Sequence, residues 1–450
     1  MSIEQFGYKQ ELKRALSFWD LVIYGMIFMV PIAPFGVYGY VSDGSKGMVA
    51  LAYMIGMFGM IFTAFSYARM SEAFPIAGSV YAYAQRGINE YIGFMAGWSI
   101  LLDYILIPSL LYLVSAAALG ALVPSVPIWV WLILFIGFNT IINVRGIEFT
   151  AGANRIILIA EFIVLAIFIV VGLIALKNGV GDGGLTLKPI YDPASFSMST
   201  VMSAVSIAVL SFLGFDGIST LSEEVKGGEK AGNKLVGKAT VLALLTVGFL
   251  FIIQTWVASD LGRGMKLDNL DTAFYQIAGA AGGAWLKNLT IIATAFSWGI
   301  ANALAAQAAI SRVLFSMARD KKLPQILSKV HPKYQTPYVS TVLVAVISLG
   351  VGLFFQSQIA NLTVLVNFGA LISFLLLHIS VINHYIIRGK SKNYFKHLVL
   401  PIIGFIVIAY VLYGMDIAAI KLGGIWIILG IIYLAVLSMV LKQKPTSIEL

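Results

Sequence analysis

The chain is a succession of long apolar runs separated by short polar stretches. Twelve runs approach the ~20 residues that a membrane-crossing helix needs. They cover approximately 18–41, 47–70, 91–121, 128–146, 153–176, 197–222, 236–258, 285–315, 338–356, 360–387, 398–415 and 422–441. The pattern predicts an all-α polytopic membrane protein with twelve transmembrane helices, forming a single integral membrane domain over residues 1–450.

The first run is interrupted in its middle by Met29-Val30-Pro31-Ile32-Ala33-Pro34-Phe35-Gly36. A proline inside a helix lacks a backbone donor and clashes with the carbonyl four residues back. Two prolines three apart, followed by a glycine, predict an opened helix rather than a kink. Bare backbone at membrane depth is tolerated only where protein buries it or where it lines a cavity. The sixth run is interrupted too, at Ser211-Phe212-Leu213-Gly214-Phe215-Asp216-Gly217. Two broken spans at corresponding places in two halves point to an inverted-repeat transporter with its site at the midplane. The repeats are expected at approximately 18–176 and 197–387, with two extra helices over 398–441.

Composition agrees with the pattern. Apolar residues make up 59% of the chain and charged residues 11%, against about 25% charged in soluble proteins. The absence of cysteine excludes disulfides, zinc knuckles and thiol chemistry. Three of the four histidines, His331, His384 and His397, fall near expected helix ends, so no metal site is expected. The net charge of +9 reads as topology rather than as a nucleic-acid surface. All Lys and Arg residues except Lys46, Lys177, Lys188, Arg263, Lys266, Lys287 and Lys421 fall on one side of an alternating arrangement. That asymmetry puts both termini in the cytoplasm of a cell-membrane protein. No cleavable signal is evident over residues 1–16.

Three connections stand out. Phe74 to Asn89 has room for a short surface helix, and 223–238 and 319–337 read as solvated links. Gly232-Asn-Lys-Leu-Val-Gly237-Lys238-Ala239 nearly spells a phosphate loop, but Ala239 replaces the hydroxyl residue and no strand precedes it. No cofactor is expected.

Charges inside spans are costly and mark function by default. Asp103, Glu161 and Asp216 are the three, and no Lys or Arg is expected at their depth. An acidic interior suits a cationic substrate, a proton, or both. Asp216, beside Gly214 and Gly217, has two compatible roles: capping the second half-helix and meeting the substrate. Asp103 and Tyr104 are candidates to hold one end of a ligand. Alternatively, Asp103 serves only to fix the bundle. Glu161, among Ile159, Ala160, Phe162 and Ile163, sits where desolvation disfavours a charged carboxylate, so it is the candidate proton carrier. Its alternative is a buried acid hydrogen-bonded to a neighbouring helix. Phe212 and Phe215, beside the break, are placed to cover an alkyl chain or an ammonium, and Phe212 is the candidate gate. His378 reads as a packed, satisfied histidine.

At these residues the chain resembles the amino acid–polyamine–organocation transporters. Ser211-Phe-Leu-Gly-Phe-Asp216-Gly, running on to Thr220-Leu-Ser-Glu223-Glu224, is similar to the family's span-6 signature. Phe74-Pro-Ile-Ala-Gly-Ser79-Val-Tyr81 is similar to its first intracellular loop. Gly97-Trp98-Ser-Ile-Leu-Leu-Asp103-Tyr104 and Val330-His-Pro-Lys333 resemble bacterial putrescine importers in particular. The resemblance implies a five-plus-five inverted repeat (LeuT-like), alternating access and proton coupling. It also implies that Asp103, Tyr104 and the span-6 break, with Asp216 and Gly217, face the substrate.

The opening stretch departs from the amino-acid members. Many of those carry a glycine-rich span-1 break whose amides bind an α-carboxylate. Pro31 and Pro34 have no N–H, so only Ile32 and Ala33 remain as donors. Where some proton-coupled relatives carry a span-5 lysine, Glu161 stands here. A sodium site between spans 1 and 8 would want span-8 hydroxyls, and residues 301–309 offer only Asn302 and Gln307. The reading is an importer of a small organic cation, putrescine or a related polyamine, coupled to protons. The alternatives are a proton-coupled amino-acid transporter or exchanger, and a non-transporting membrane sensor.

Overall fold

The computed structural model describes residues 14–76, 79–123, 125–226, 229–267, 270–356, 359–415 and 417–439. Lys9, Lys13, Ala77, Gly78, Lys442 and Lys444, and with them both chain ends, lie outside the described residues. The order is α1 (Phe18–Met29), α2 (Pro34–Ser45), α3 (Val49–Ala73), α4 (Ser79–Gly87), α5 (Glu90–Leu122), α6 (Ile128–Arg145), α7 (Ile147–Lys177), α8 (Met198–Ala208), α9 (Glu229–Gly262), α10 (Ala273–Gly282), α11 (Ala284–Phe296), α12 (Ala303–Arg319), α13 (Tyr338–Phe354), α14 (Ile359–Ile382), α15 (Leu400–Tyr413) and α16 (Ile417–Met439). Among the described residues there is no strand, only an isolated bridge between Leu16 and Val225. Ten helices are long and apolar enough to cross a membrane, or eleven when α1 and α2 count as one bent span. α13, with 17 residues, is apolar but shorter. The chain is a multi-pass membrane protein.

The span-1 break lies where the prolines put it. α1 starts in a capping box between Ser17 and Asp20 and ends at Val30, whose φ of 53° no helix continues. Pro34 opens α2 at its first turn, where a missing N–H costs nothing. The two halves meet at 52°. The span-6 break is subtler. α8 gives way to a 3₁₀ turn over Val209–Phe212, Leu213 is extended, and Gly214 takes a left-handed φ of 114°. The chain then winds on as ten residues of 3₁₀ helix, Phe215–Glu224, an uncommon length for that geometry. Its hydroxyls explain the winding in part: Ser219, Thr220 and Ser222 each donate to the carbonyl three residues back at 2.6 Å.

Span 8 holds a feature that the apolar pattern conceals. Between α11 and α12 the helix widens to a π-helix over Ser297–Asn302. Such insertions free backbone groups and recur at functional sites. The expected surface helix after Phe74 is α4, but it is not on the surface. Val80, Tyr81, Ala82, Tyr83 and Ala84 are all buried, because apolar and aromatic residues occupy every face of this helix. Gly232–Ala239 lies within the helix α9 rather than in a phosphate-binding loop.

At the periphery, α16 docks on α5 through Trp98 and Trp426. The two indoles stack at 4.7 Å. Each donates its Nε1–H to the other's backbone carbonyl at 2.8 Å. Phe94 and Tyr433 extend the stack.

A Cβ at residue 214 would sit 2.8 Å from both the ring and the carbonyl of Phe28, on a backbone with positive φ. Gly214→Ala is expected to cost about 1–3 kcal/mol. The measurement is thermal unfolding of detergent-purified protein, and an unchanged midpoint would contradict this packing.

Candidate functional site

The two breaks and the wide turn of span 8 meet in the centre of the bundle. Phe28, the last ring before the span-1 break, lies directly on Gly214 and Gly217. Tyr104 on α5 is 6.3 Å from that ring, and its hydroxyl donates to the Asp216 carboxylate. Asp216 also accepts the N–H of Gly214 at 3.2 Å. The carboxylate therefore closes the break on itself and ties α5 to it. Pro108, one turn on, has no N–H for the Tyr104 carbonyl, which adds a backbone acceptor beside the site.

Asp103 is 1% exposed, and its Oδ1 has no hydrogen-bond partner. Gly369 of α14 packs against the backbone of α5 here, where a Cβ would be 2.9 Å from the Asp103 backbone nitrogen. Asp103 and Asp216 are near enough to repel one another when both are charged. The span-1 break is repaired from α9. Gln254 donates to the Pro31 carbonyl at 2.8 Å, and the Ala33 N–H is taken by the Val30 carbonyl at 2.8 Å. Ile32 is fully buried. Of the two donors foreseen there, Ala33's is used internally.

Phe212 and Phe215 pack against other aromatic rings. Phe212 contacts Tyr53 and Phe251, and Phe215 contacts Tyr67 and Phe374. The ring that covers the break is Phe28. Glu161 on α7 is 2% exposed with neither carboxylate oxygen bonded. Its polar neighbour is Ser297, the first residue of the wide turn. His378 is satisfied by Ser66 at 2.9 Å and Thr63 at 3.2 Å.

The wide turn is held by α6. Asn139 donates to the Gly299 carbonyl at 2.8 Å and Asn143 to that of Leu304 at 3.0 Å. Gln307 links Asn143 to Thr140 and Thr341. One turn apart on α6, the two asparagines satisfy carbonyls of the span-8 turn and the helix after it. A small cavity of about 30 Å³ lies between the breaks, lined by Phe28, Ala33, Leu110, Ser211, Trp298 and Asn302 among others.

One end of the bundle is sealed by ion pairs. Glu224 binds the Arg312 guanidinium, with the second contact at 3.1 Å. Glu223 receives both terminal nitrogens of Arg319, at 2.9 and 3.2 Å. Arg312 is 4% exposed, so a cation does lie inside the bundle, neutralised by its partner. The Ala15 and Leu16 amides, both at 2.9 Å, bind the Glu224 carbonyl and tie the incoming chain to the same place. At the other end a vestibule of about 370 Å³ opens among Tyr38, Asp43, Lys46, Ser259 and Arg263.

Gln254, Arg312 and Asn302 are polar residues in apolar runs, a signal that was open to reading. Phe28 carried no such mark.

Comparison with known proteins agrees with this architecture. The family described as "Amino acid permease" matches residues 16–443. The low-affinity putrescine importer PlaP of Escherichia coli K12 is 32% identical over 94% of both chains. The methylthioribose transporter of Bacillus subtilis is 28% identical over 85% of this chain and 83% of its own. The branched-chain amino acid permease BcaP of the same organism is 25% identical over 94% and 93%.

Removing one partner of a buried ion pair strands the other charge, at about 3–5 kcal/mol. Glu224→Gln is expected to lower the unfolding midpoint strongly, and Arg312→Leu added to it should restore most of the loss. A double variant no better than the single would contradict the pairing.

Proposed function

Because the chain belongs to the amino acid permease family, we propose that it is a secondary transporter that imports a small organic cation, putrescine or a related polyamine, by alternating access and in symport with protons. The observation that carries this reading is the Asp103 carboxylate, buried with an unpartnered oxygen beside the Asp216–Tyr104 pair. An uncompensated buried carboxylate is expensive, and a substrate ammonium would relieve both it and the repulsion from Asp216. The buried arginine Arg312 is already neutralised by Glu224. Freed carbonyls at the breaks add acceptors. The span-1 break is poor in donors, with two prolines and the Ala33 N–H engaged, which disfavours a carboxylate-bearing substrate. The putrescine importer at 32% identity supports the same choice.

In this reading the twelve spans form a five-plus-five inverted repeat with two extra helices, and both termini are cytoplasmic. The paired Glu223–Arg319 and Glu224–Arg312 then seal the cytoplasmic end, and the vestibule faces outward. Substrate meets Asp103, Tyr104, Asp216 and Gly217, with Phe28 covering the methylenes. Glu161 carries the coupled proton. Its two unbonded oxygens beside Ser297 connect a protonation change to the wide turn of span 8, and so to the substrate cavity. The second reading is a proton-coupled amino-acid transporter or exchanger, favoured by the largely apolar cavity wall, which suits an aliphatic side chain.

Uptake into proteoliposomes under imposed pH or sodium gradients, across diamines and amino acids, tests the proposal. Putrescine accumulation driven by an acid exterior is expected; accumulation of amino acids alone would overturn it. Asp216→Asn should weaken putrescine uptake strongly, and unchanged uptake in a folded variant would leave Asp216 as a cap only. Glu161→Gln is expected to abolish the response to the pH gradient while leaving exchange of putrescine across the membrane. A retained pH response would remove Glu161 from the mechanism.

A further inference from the structure

The connection between α14 and α15 concentrates positive charge. Arg388, Lys390, Lys392 and Lys396 fall within nine residues, and no Asp or Glu occurs between Asp320 and Asp416. Elsewhere the chain pairs basic side chains with acids: Arg69 with Glu72 at 2.8 Å, Arg319 with Glu223 at 2.9 Å and Lys322 with Glu90 at 3.3 Å. Lys390, Lys392 and Lys396 are all exposed, and among the described residues no carboxylate pairs with them. Orienting a span needs only positive charge somewhere on the right side. It does not need that charge gathered in one folded place.

The connection is folded. The Arg388 guanidinium donates to the carbonyls of Arg86, at 3.2 Å, and Ile88. The Ser391 N–H returns to the Tyr385 carbonyl at 2.8 Å, and the Tyr385 hydroxyl donates to the Arg69 carbonyl at 2.9 Å. His397 stacks on Tyr385 at 4.0 Å, with its Nδ1 2.8 Å from the Ser391 hydroxyl. Lys390 holds a left-handed φ of 45°, uncommon for a residue with a side chain. The helix widens to a π-helix on both sides, over Asn383–Arg388 and Phe395–Val399, a geometry that recurs at functional sites. Depth is set too. Only residues 389–394 separate the apolar stretch ending at Arg388 from the one beginning at Phe395, so the lysines stay at the membrane surface. Tyr394 is 59% exposed, and a tyrosine at a span end marks the headgroup level. Ile387 and Phe395, 65% and 62% exposed, put apolar surface beside the charge. The connection over 320–337, by contrast, is long enough to extend into water.

We propose that this connection is a binding surface for anionic phospholipid, with the ammonium groups of Lys390, Lys392 and Lys396 on the headgroup phosphate. The phosphate supplies the negative charge that the chain itself withholds here. A zwitterionic lipid carries the same phosphate but offsets it with its own cation. A lipid fits better than free phosphate, because its acyl chains cover the apolar side chains next to the lysines. Juxtamembrane basic clusters attract anionic lipid in this way. The inference is independent of which substrate is carried.

The test is native mass spectrometry of the detergent-purified chain, titrated with phosphatidylglycerol and, separately, with phosphatidylcholine of the same acyl chains. The wild type is expected to bind phosphatidylglycerol more tightly. Lys390→Gln, Lys392→Gln and Lys396→Gln together should weaken phosphatidylglycerol at least about tenfold, since each lysine at an anionic surface is worth roughly fivefold, and leave phosphatidylcholine unchanged. The same three positions changed to Arg keep the charge and should keep the preference. Lys321→Gln, Lys329→Gln and Lys333→Gln together remove equal charge from the long connection and should also keep it. No preference in the wild type, an unchanged preference in the first Gln variant, or an equal loss in either of the other two variants would each overturn the surface. Displacement of the bound lipid by millimolar inorganic phosphate would overturn the choice of a lipid. Monodispersity and an unfolding midpoint for each variant confirm that the protein measured is folded.

Discussion

A carbonyl or amide released from a helix inside a bilayer has no water to turn to, and the interior of this protein is arranged around that constraint. Three stretches of backbone are opened at depth: residues 30–33, residues 209–214 and the wide turn at 297–302. Each has side chains or local bonds assigned to its repair. Gln254 reaches the Pro31 carbonyl. Asp216 takes the Gly214 amide. Asn139 and Asn143 hold Gly299 and Leu304. Phe28 covers the glycine backbone that remains. Two carboxylates inside the bundle, Asp103 and Glu161, keep oxygens without a partner.

The sealed end obeys the same economy of charge. Glu223 and Glu224 end the tightly wound second half of span 6, and their partners Arg312 and Arg319 lie two turns apart on α12. The incoming chain at Ala15 and Leu16 bonds to the Glu224 carbonyl and bridges to Val225. Three separate segments are therefore joined at the end of the helix that carries Asp216.

Much of this was legible. Pro31 and Pro34 foretold the opening of span 1, and Gly214-Phe-Asp-Gly217 that of span 6, because rigid and permissive residues act locally and leave a mark in the sequence. Asp103, Glu161 and Asp216 announced themselves as charges in apolar runs, and all three are buried. Other features depend on tertiary contacts that no local pattern encodes. The wide turn in span 8 relies on asparagines from α6. Phe28 and Phe212 are equally aromatic and equally close to a break, yet only the fold decides which one covers the glycines and which packs against Tyr53 and Phe251. Arg312 reads as the polar end of a span until its partner Glu224 is seen to draw it inside. The helix α4 looked like a surface connection because its length and neighbours suggested one, although its own residues, Val80 to Ala84, were apolar enough to argue otherwise.

The reciprocal bonding of Trp98 and Trp426 bears on biogenesis. Trp98 belongs to an early span and Trp426 to the last helix described, so during synthesis the first indole must wait for nearly the whole chain to be made. Until then its N–H faces lipid or a transient partner. The order of translation thus leaves an exposed polar atom on every unfinished molecule and removes it only from complete ones. A chain cut short before α16 would lack the carbonyl that accepts this N–H and the ring that stacks on it.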